Sequence, residues 1–268
     1  MKRRINSGFG FLVTAVAALV VLNAPLRVTA EATVAVMAAY DSYAGEVEAR
    51  LAQEHRSPGT FLVTADLERV RRGELIVDEL TAQGGQDVGG ALLHDWRGTA
   101  FVAGAKVADF DRIMRNYQAY PQIYAPQVVS AHVTIQAGDH YQVEMRVRQQ
   151  HVLTVVMDTA YDVKFGKLDG KHGYSVSRST GIEEIDQPDT KHERALGPGE
   201  EHGFLWRLNT YWSYEERDGG LYLQIESISL SRSIPTGLGW AIGPFIESVP
   251  RESLEFTLRS TCQALQKH

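Results

Sequence analysis

The stretch that decides the fold lies near the end of the chain, where Phe204–Leu230 reads FLWRLNTYWSYEERDGGLYLQIESISL. Two strand-like runs there flank the turn residues Asp218-Gly219-Gly220. The chain continues as PTGLGWAIGPFIESVPRESLEFTLRSTCQAL over Pro235–Leu265, in which apolar residues recur at helical spacing. Two antiparallel strands that lead into a long helix indicate a curved sheet that grips a helix. Such a sheet can enclose an apolar cavity.

The elements upstream of this stretch extend the same pattern. Leu92–Val102 predicts a strand, and Val107–Tyr117 predicts a helix with Val107, Phe110, Met114 and Tyr117 on one face. Strands are then expected at about 127–135, 140–149, 152–165, 173–185, 203–216 and 221–232. A strand, a helix, six strands and a long terminal helix together predict an α+β fold of the helix-grip type.

Residues from about 91 to 266 resemble the START-like superfamily, also called SRPBCC, which has polyketide cyclase, lipid-transfer and coenzyme Q-binding branches. The likeness is carried by the order of elements, by the helix and prolines of Phe110–Pro126, by Trp212-Ser213-Tyr214 before a glycine turn, and by the terminal helix. The resemblance implies a curved antiparallel sheet wrapped around the C-terminal helix, with a hydrophobic cavity between them. It offers no catalytic signature that can be placed on residues of this chain.

The beginning of the chain has the pattern of a secretory signal. Lys2, Arg3 and Arg4 precede an apolar run, and Val28-Thr29-Ala30 supplies the small residues that a signal peptidase reads. We therefore expect 1–30 to be a signal peptide and the protein to be periplasmic or extracellular; the alternative is an uncleaved membrane anchor. Residues 31–90 are expected to form an N-terminal helical extension and linker, and 91–268 the helix-grip domain.

Charge and composition exclude some partners. Residues 1–30 contain four of the 27 basic residues and no acid, so the mature chain keeps 23 cations against 33 acids, a net charge of −10. This balance argues against nucleic acid and against electrostatic attachment to anionic lipid, although transient membrane contact stays possible. Neither a metal site nor a cofactor motif is evident, and the single cysteine, Cys262, is expected to be a packed apolar residue.

The turn residues predict which side chains face the cavity. If Asp169-Gly170 forms a two-residue hairpin loop, Phe165 faces Tyr174 and Tyr161 faces Arg178. In the last hairpin, a loop at Asp218-Gly219 places opposite one another Tyr214 and Leu223, Trp212 and Ile225, and Thr210 and Ser227. The residues predicted to contact a ligand are Met157, Thr159, Tyr161, Arg178, Thr180, Thr210, Trp212 and Tyr214.

Arg178 is the distinctive member of this set. A guanidinium in an apolar cavity requires a carboxylate, a phosphate or carbonyl groups as partners. We expect Arg178, with Tyr161, Thr159 and Thr180, to bind the polar end of an amphiphilic molecule. The alternatives are an internal salt bridge to Glu252 or Glu255, or a position at the cavity rim. Trp212 and Tyr214 could equally belong to an ordinary core.

No catalytic constellation is found in the sequence, and no residue is predicted to be catalytic. The chain lacks a nucleophile elbow, a P-loop and a paired histidine motif. The favoured function is an exported carrier of a lipid, isoprenoid or polyketide-like molecule. Two alternatives stay open: a cyclase-like or hydrolase-like enzyme in the same cavity, with Tyr161, Arg178 or a histidine transferring protons, and a structural or interaction module whose cavity is filled.

Overall fold

The computed structural model describes residues 32–63, 66–150, 154–197, 199–233 and 239–267, with the side chains of 239–247 left out of the description. The expected signal peptide lies outside the described residues.

Five helices and ten strands make up the described part of the chain. The helices are α1 (Val34–Glu54), α2 (Leu67–Arg71), α3 (Val107–Arg115), α4 (Tyr120–Ile123) and α5 (Gly239–Gln266). The strands are β1 (Ile76–Glu79), β2 (Gln86–Asp87), β3 (Ala91–Ala103), β4 (Val128–Ala137), β5 (His140–Gln150), β6 (Thr154–Lys167), β7 (His172–Asp186), β8 (Arg194–Ala195), β9 (Arg207–Arg217) and β10 (Gly220–Arg232).

All strand pairs are antiparallel, and the main sheet has the order β1-β3-β10-β9-β7-β6-β5-β4. The short strands β2 and β8 pair with β3 and β7. Residues 31–90, expected as an extension and linker, thus contribute β1 and β2 to the sheet. The hairpin of β9 and β10 has the predicted register, because Asp218 and Gly219 both have positive φ (56° and 76°), as a tight two-residue turn requires.

One face of the sheet, which we call the inner face, packs against α5. A Cβ atom added to Gly98 of β3 would lie 2.6 Å from Cδ2 of Leu254, so glycine permits the close approach of helix and strand. Leu254, Leu258 and Leu265 are buried in one cluster with residues of α3 and α4 and of the inner strands. The α+β helix-grip fold predicted from the sequence is confirmed. α5 is one helix from Gly239 to Gln266.

The opposite, outer face packs against α1. Thr33 caps this helix by accepting a hydrogen bond from the backbone N–H of Val36 at 3.2 Å. The apolar stripe of α1 is buried against the outer residues of the central strands, and together they form a second hydrophobic cluster. Its members are Val36, Tyr40, Ala44, Val47 and Leu51 of α1 and Ala91, Leu93, Tyr211, Ile228 and Leu230 of the sheet. The central strands are therefore covered on both faces, which affects how they can be read from sequence.

Candidate ligand-binding site

Small hydroxyl side chains cross the middle of the inner face in one row. Ser227 of β10 pairs with Thr210 of β9, and Thr210 pairs with Ser177 of β7. Trp96 of β3 continues the row beyond Ser227. Neighbouring strands lie about 4.8 Å apart, so the row from Ser227 to Ser177 spans about 10 Å.

These positions retain accessible surface although they lie on central strands. Trp96, Ser177, Thr210 and Ser227 are half-buried, as is Leu208, which precedes Thr210 on the same face. Central strands covered by a helix normally carry large buried side chains, because close packing leaves few voids. From this retained surface we infer open space above these five residues, which we call the inner hollow; small side chains form most of its floor.

The three hydroxyls of the floor are available for binding. Ser177, Thr210 and Ser227 have no hydrogen-bond partner among the described residues, in contrast to Ser179 nearby, whose Oγ accepts the backbone N–H of Leu208 at 2.9 Å. A hydroxyl can donate one hydrogen bond and accept two. The floor can therefore interact with either a donor or an acceptor.

The other half of the inner face is filled by aromatic side chains. Phe110 of α3 packs against Trp212 and Tyr214, with ring centroids 5.2 Å and 4.4 Å apart. The Tyr214 hydroxyl donates to Oδ1 of Asp111 at 2.6 Å, and both Trp212 and Tyr214 are buried. Trp212 and Tyr214 thus face inward as predicted, but they belong to the packed core beside the inner hollow.

The predicted residues on β6 also face inward. Met157, Thr159 and Tyr161 are all buried, and Thr159 donates its hydroxyl to the carbonyl of Met145 at 2.9 Å. Burial raises the pKa of Tyr161 to about 12, and the neighbouring Thr159 side chain acts in the opposite direction. At neutral pH the Tyr161 phenol is therefore protonated. These residues lie on the inner face beyond Ser179, which pairs with Tyr161.

The prediction that Arg178 faces the inner side is wrong. The backbone N–H of Leu168 donates to the carbonyl of His172 at 3.0 Å, so the loop between β6 and β7 contains Asp169, Gly170 and Lys171 and is one residue longer than predicted. Because side chains alternate along a strand, a shift of one residue moves each of them to the other face. Arg178 therefore reaches α1 on the outer face.

There Nε and Nη2 of Arg178 each donate to a carboxylate oxygen of Glu48 at 2.6 Å. The Tyr211 hydroxyl donates to the same Glu48 at 3.1 Å. The salt bridge that the sequence analysis considered thus exists, but with Glu48 and not with Glu252 or Glu255. Its role is to join α1 to the sheet.

Thr180 does not line the hollow either. Tyr161 pairs with Ser179 and Ala160 pairs with Gly181, which leaves Thr180 as the extra residue of a β-bulge. Its side chain is exposed. After the bulge, Ile182 again faces inward, opposite Thr159. Of the eight predicted residues, only Thr210 belongs to the floor of the inner hollow.

A buried carboxylate that sequence reasoning missed fixes the chain before β9. Glu184 at the end of β7 is 4% exposed and accepts the backbone N–H groups of His202, Gly203 and Phe204 at 2.8 to 2.9 Å. Nδ1 of His202 lies 2.9 Å from the same carboxylate. Multiple N–H donors satisfy a buried carboxylate, so Glu184 anchors this loop.

Burial lowers the pKa of two histidines, His94 and His55. His94, on the inner face, is 1% exposed and has no hydrogen-bond partner among the described residues; burial lowers its pKa. On the outer face, Nε2 of His55 lies 2.7 Å from Oγ of Ser213 and its ring stacks on Tyr174. Burial, with the nearby Arg50 charge, lowers the pKa of His55 to about 4, and Ser213 is buried.

A separate groove of about 630 Å³ lies on the outer face of β4–β7. Ala160 and Gly181 leave room for it, and charged side chains surround them. Arg146 donates to both carboxylate oxygens of Asp158, at 2.7 and 2.8 Å. Arg146 and Asp158 of the groove are thus paired, and its charged lining distinguishes it from the uncharged floor of the inner hollow.

Two other classes of site were considered for the described residues. No group of three or more His, Cys, Asp or Glu side chains there could hold a metal ion. None of the helices in the same residues has the length and apolar character needed to cross a membrane.

Comparison with known proteins reveals likeness in shape only. No family model and no curated protein matches the chain. Among solved structures, a STAR-related lipid transfer protein of Xanthomonas axonopodis is 17% identical with a TM-score of 0.42, covering 68% of this chain and 97% of that chain. Human STARD10 is 8% identical with a TM-score of 0.44, covering 77% and 82%.

The Zhui aromatase/cyclase from Streptomyces sp. R1128 is 11% identical with a TM-score of 0.43, covering 65% of this chain and 94% of that chain. At these TM-scores the likeness adds nothing to the fold assignment. That assignment depends on the strand order and on the packing of α5 against the inner face.

Proposed function

We propose that the protein binds an apolar or amphiphilic small molecule in the inner hollow and carries it. The observation that carries this proposal is the accessible surface on the central strands, at Ser177, Thr210 and Ser227. A fully packed core would bury these positions. Pockets for small molecules are concave and mostly apolar, with few polar groups, and Trp96 and Leu208 supply apolar surface beside the hydroxyls.

The carrier proposal is favoured over an enzyme by the state of the residues considered for proton transfer. Tyr161 has its pKa raised to about 12 by burial, so it is a poor base at neutral pH. Arg178 is engaged with Glu48 on the outer face. His94 is buried on the inner face, and His202 is held by Glu184.

Filling the hollow tests the proposal directly. Thr210→Phe places a large side chain on the floor, and we expect it to weaken binding of the apolar fluorophore N-phenyl-1-naphthylamine by about tenfold or more. Thr180→Phe is the matched control, because Thr180 is exposed at the bulge. Equal fluorophore affinity in the two variants, with both folded by circular dichroism, would contradict a ligand site at this place.

Native mass spectrometry of the protein purified from its source provides an independent test. We expect a bound apolar molecule that is released on denaturation. A protein that carries nothing and also fails to bind the fluorophore would favour the filled interaction module.

We further propose that the protein is exported, on the basis of the signal-like pattern of 1–30. Transient membrane contact during ligand exchange is part of the same proposal. Cell fractionation with N-terminal sequencing should find a mature chain that begins near Glu31. A cytoplasmic protein that retains Met1 would contradict export.

A further inference from the structure

The floor of the inner hollow offers oxygen atoms without charge. Its half-buried residues are Trp96, Ser177, Leu208, Thr210 and Ser227, none of which is ionisable in the normal pH range. The three hydroxyls lie in register on neighbouring strands and have no partner among the described residues. Polar groups so placed need a partner once water is displaced, which a bound molecule can supply.

The cations of the central strands lie on the opposite side of the sheet. Arg97 of β3 donates to Glu226 at 2.7 Å, and Arg178 of β7 donates to Glu48 at 2.6 Å, both on the face covered by α1. On the inner face, Lys167 lies 2.5 Å from Asp111, in the half filled by aromatic residues. The described part of the floor therefore lacks a counter-charge for an anion.

This arrangement determines which molecules the floor can accept. A phosphate or carboxylate pressed against it would lose its water without gaining a cation, at a large free-energy cost. A neutral hydroxyl, ketone or ester oxygen loses less hydration and can form hydrogen bonds with the floor. Strand spacing separates adjacent hydroxyls by about 5 Å, so a ligand with two oxygen atoms at that separation could bond two of them together.

We propose that the inner hollow selects uncharged, oxygen-bearing apolar molecules, such as alcohols, ketones or esters, over molecules with an anionic head group. Ser177, Thr210 and Ser227 bind the ligand oxygens. This inference depends on the proposed ligand-binding function and specifies its ligand class. It replaces the anionic head group that an inward-facing Arg178 would have favoured.

Competition between two ligands with the same apolar chain tests the proposal. Decan-1-ol and decyl phosphate are titrated against protein loaded with N-phenyl-1-naphthylamine at neutral pH, and the displacement constants are compared. We expect decan-1-ol to displace the fluorophore at a concentration about tenfold lower than decyl phosphate. Equal displacement, or a preference for the phosphate, would overturn the proposal.

Removal of one hydroxyl provides the matched variant. Thr210→Val keeps the shape of the side chain, and we expect it to weaken decan-1-ol binding about fivefold while fluorophore affinity changes less than about twofold. Thr180→Val is the control for the same chemical change at an exposed site, and its decan-1-ol affinity should equal that of the unmodified protein.

The outcomes separate the two levels of inference. Fluorophore binding together with unchanged decan-1-ol affinity in Thr210→Val would overturn the role of the hydroxyl floor and leave the carrier proposal standing. Failure of the folded, unmodified protein to bind the fluorophore, decan-1-ol or decyl phosphate would overturn both.

Discussion

Replacing Gly98 with alanine would place a methyl group between α5 and the sheet. The new Cβ would lie 2.6 Å from Cδ2 of Leu254, 3.0 Å from Cδ2 of Leu258 and 3.4 Å from Cγ2 of Ile225. All three neighbours are at most 3% exposed, so they cannot swing into solvent. Overpacking of this kind costs about 1–3 kcal/mol, and alanine in a strand regains about 0.5–1 kcal/mol relative to glycine, so we expect a net loss of about 1–2 kcal/mol.

Gly181→Ala is the matched control for this prediction. It lies on the same sheet, but its nearest neighbour would be Cβ of Ala160 at 3.9 Å, which is an ordinary contact. We expect it to stabilise the protein by about 0.5–1 kcal/mol. Urea unfolding followed by circular dichroism gives the free energy of unfolding of each variant. If Gly98→Ala is as stable as Gly181→Ala, the close contact between α5 and β3 is refuted.

Three further predictions concern the outer face and a turn. A double-mutant cycle of Arg178→Ala and Glu48→Ala should give a coupling energy of about 1 kcal/mol, a small value because both side chains are partly exposed. Ligand binding should be unchanged in these variants, and loss of binding would contradict the outer placement of Arg178. Burial, and next the Glu226 charge, raises the pKa of Asp95 from its ordinary 3.8 to about 7. The folded state therefore binds this proton more tightly than the unfolded state, so the free energy of unfolding falls as the pH rises from about 4 to 7. Measured across that pH range, the free energy of unfolding of Asp95→Asn should fall less. An equal fall in the variant and the unmodified protein would contradict the raised pKa of Asp95. Gly219→Ala should cost about 1–2 kcal/mol in thermal or urea unfolding because φ is 76° there, and a neutral result would argue against the two-residue turn.

The sequence predicts the register of the β9–β10 hairpin correctly and that of the β6–β7 hairpin wrongly, and the difference lies in their turns. Asp218-Gly219 is a strong signal for a two-residue turn, and the structure has that turn with the predicted pairing of Thr210 and Ser227. Asp169-Gly170 gives a similar signal, yet Lys171 joins the loop. A difference of one residue in loop length is enough to reverse the faces of β7.

Because β7 is covered on both faces, the alternation of apolar and polar residues could not reveal the error in its predicted register. The predicted register placed Tyr174 and Arg178 on the inner side of β7. In the structure Tyr174 stacks on His55 and Val176 packs against the cluster formed by α1. An outer face covered by a helix is apolar too, so alternation could not distinguish the two sides. The bulge at Thr180 also has no sequence signal that we recognise.

Successive side chains of β9 point to opposite faces of the sheet and so contact different parts of the protein. Its odd-numbered positions, such as Asn209 and Tyr211, lie on the face covered by α1, whereas even-numbered Leu208 and Thr210 border the inner hollow. Substitutions at Leu208 and Thr210 would therefore alter the inner hollow without changing the contacts of β9 with α1. Substitutions at Tyr211 would do the reverse.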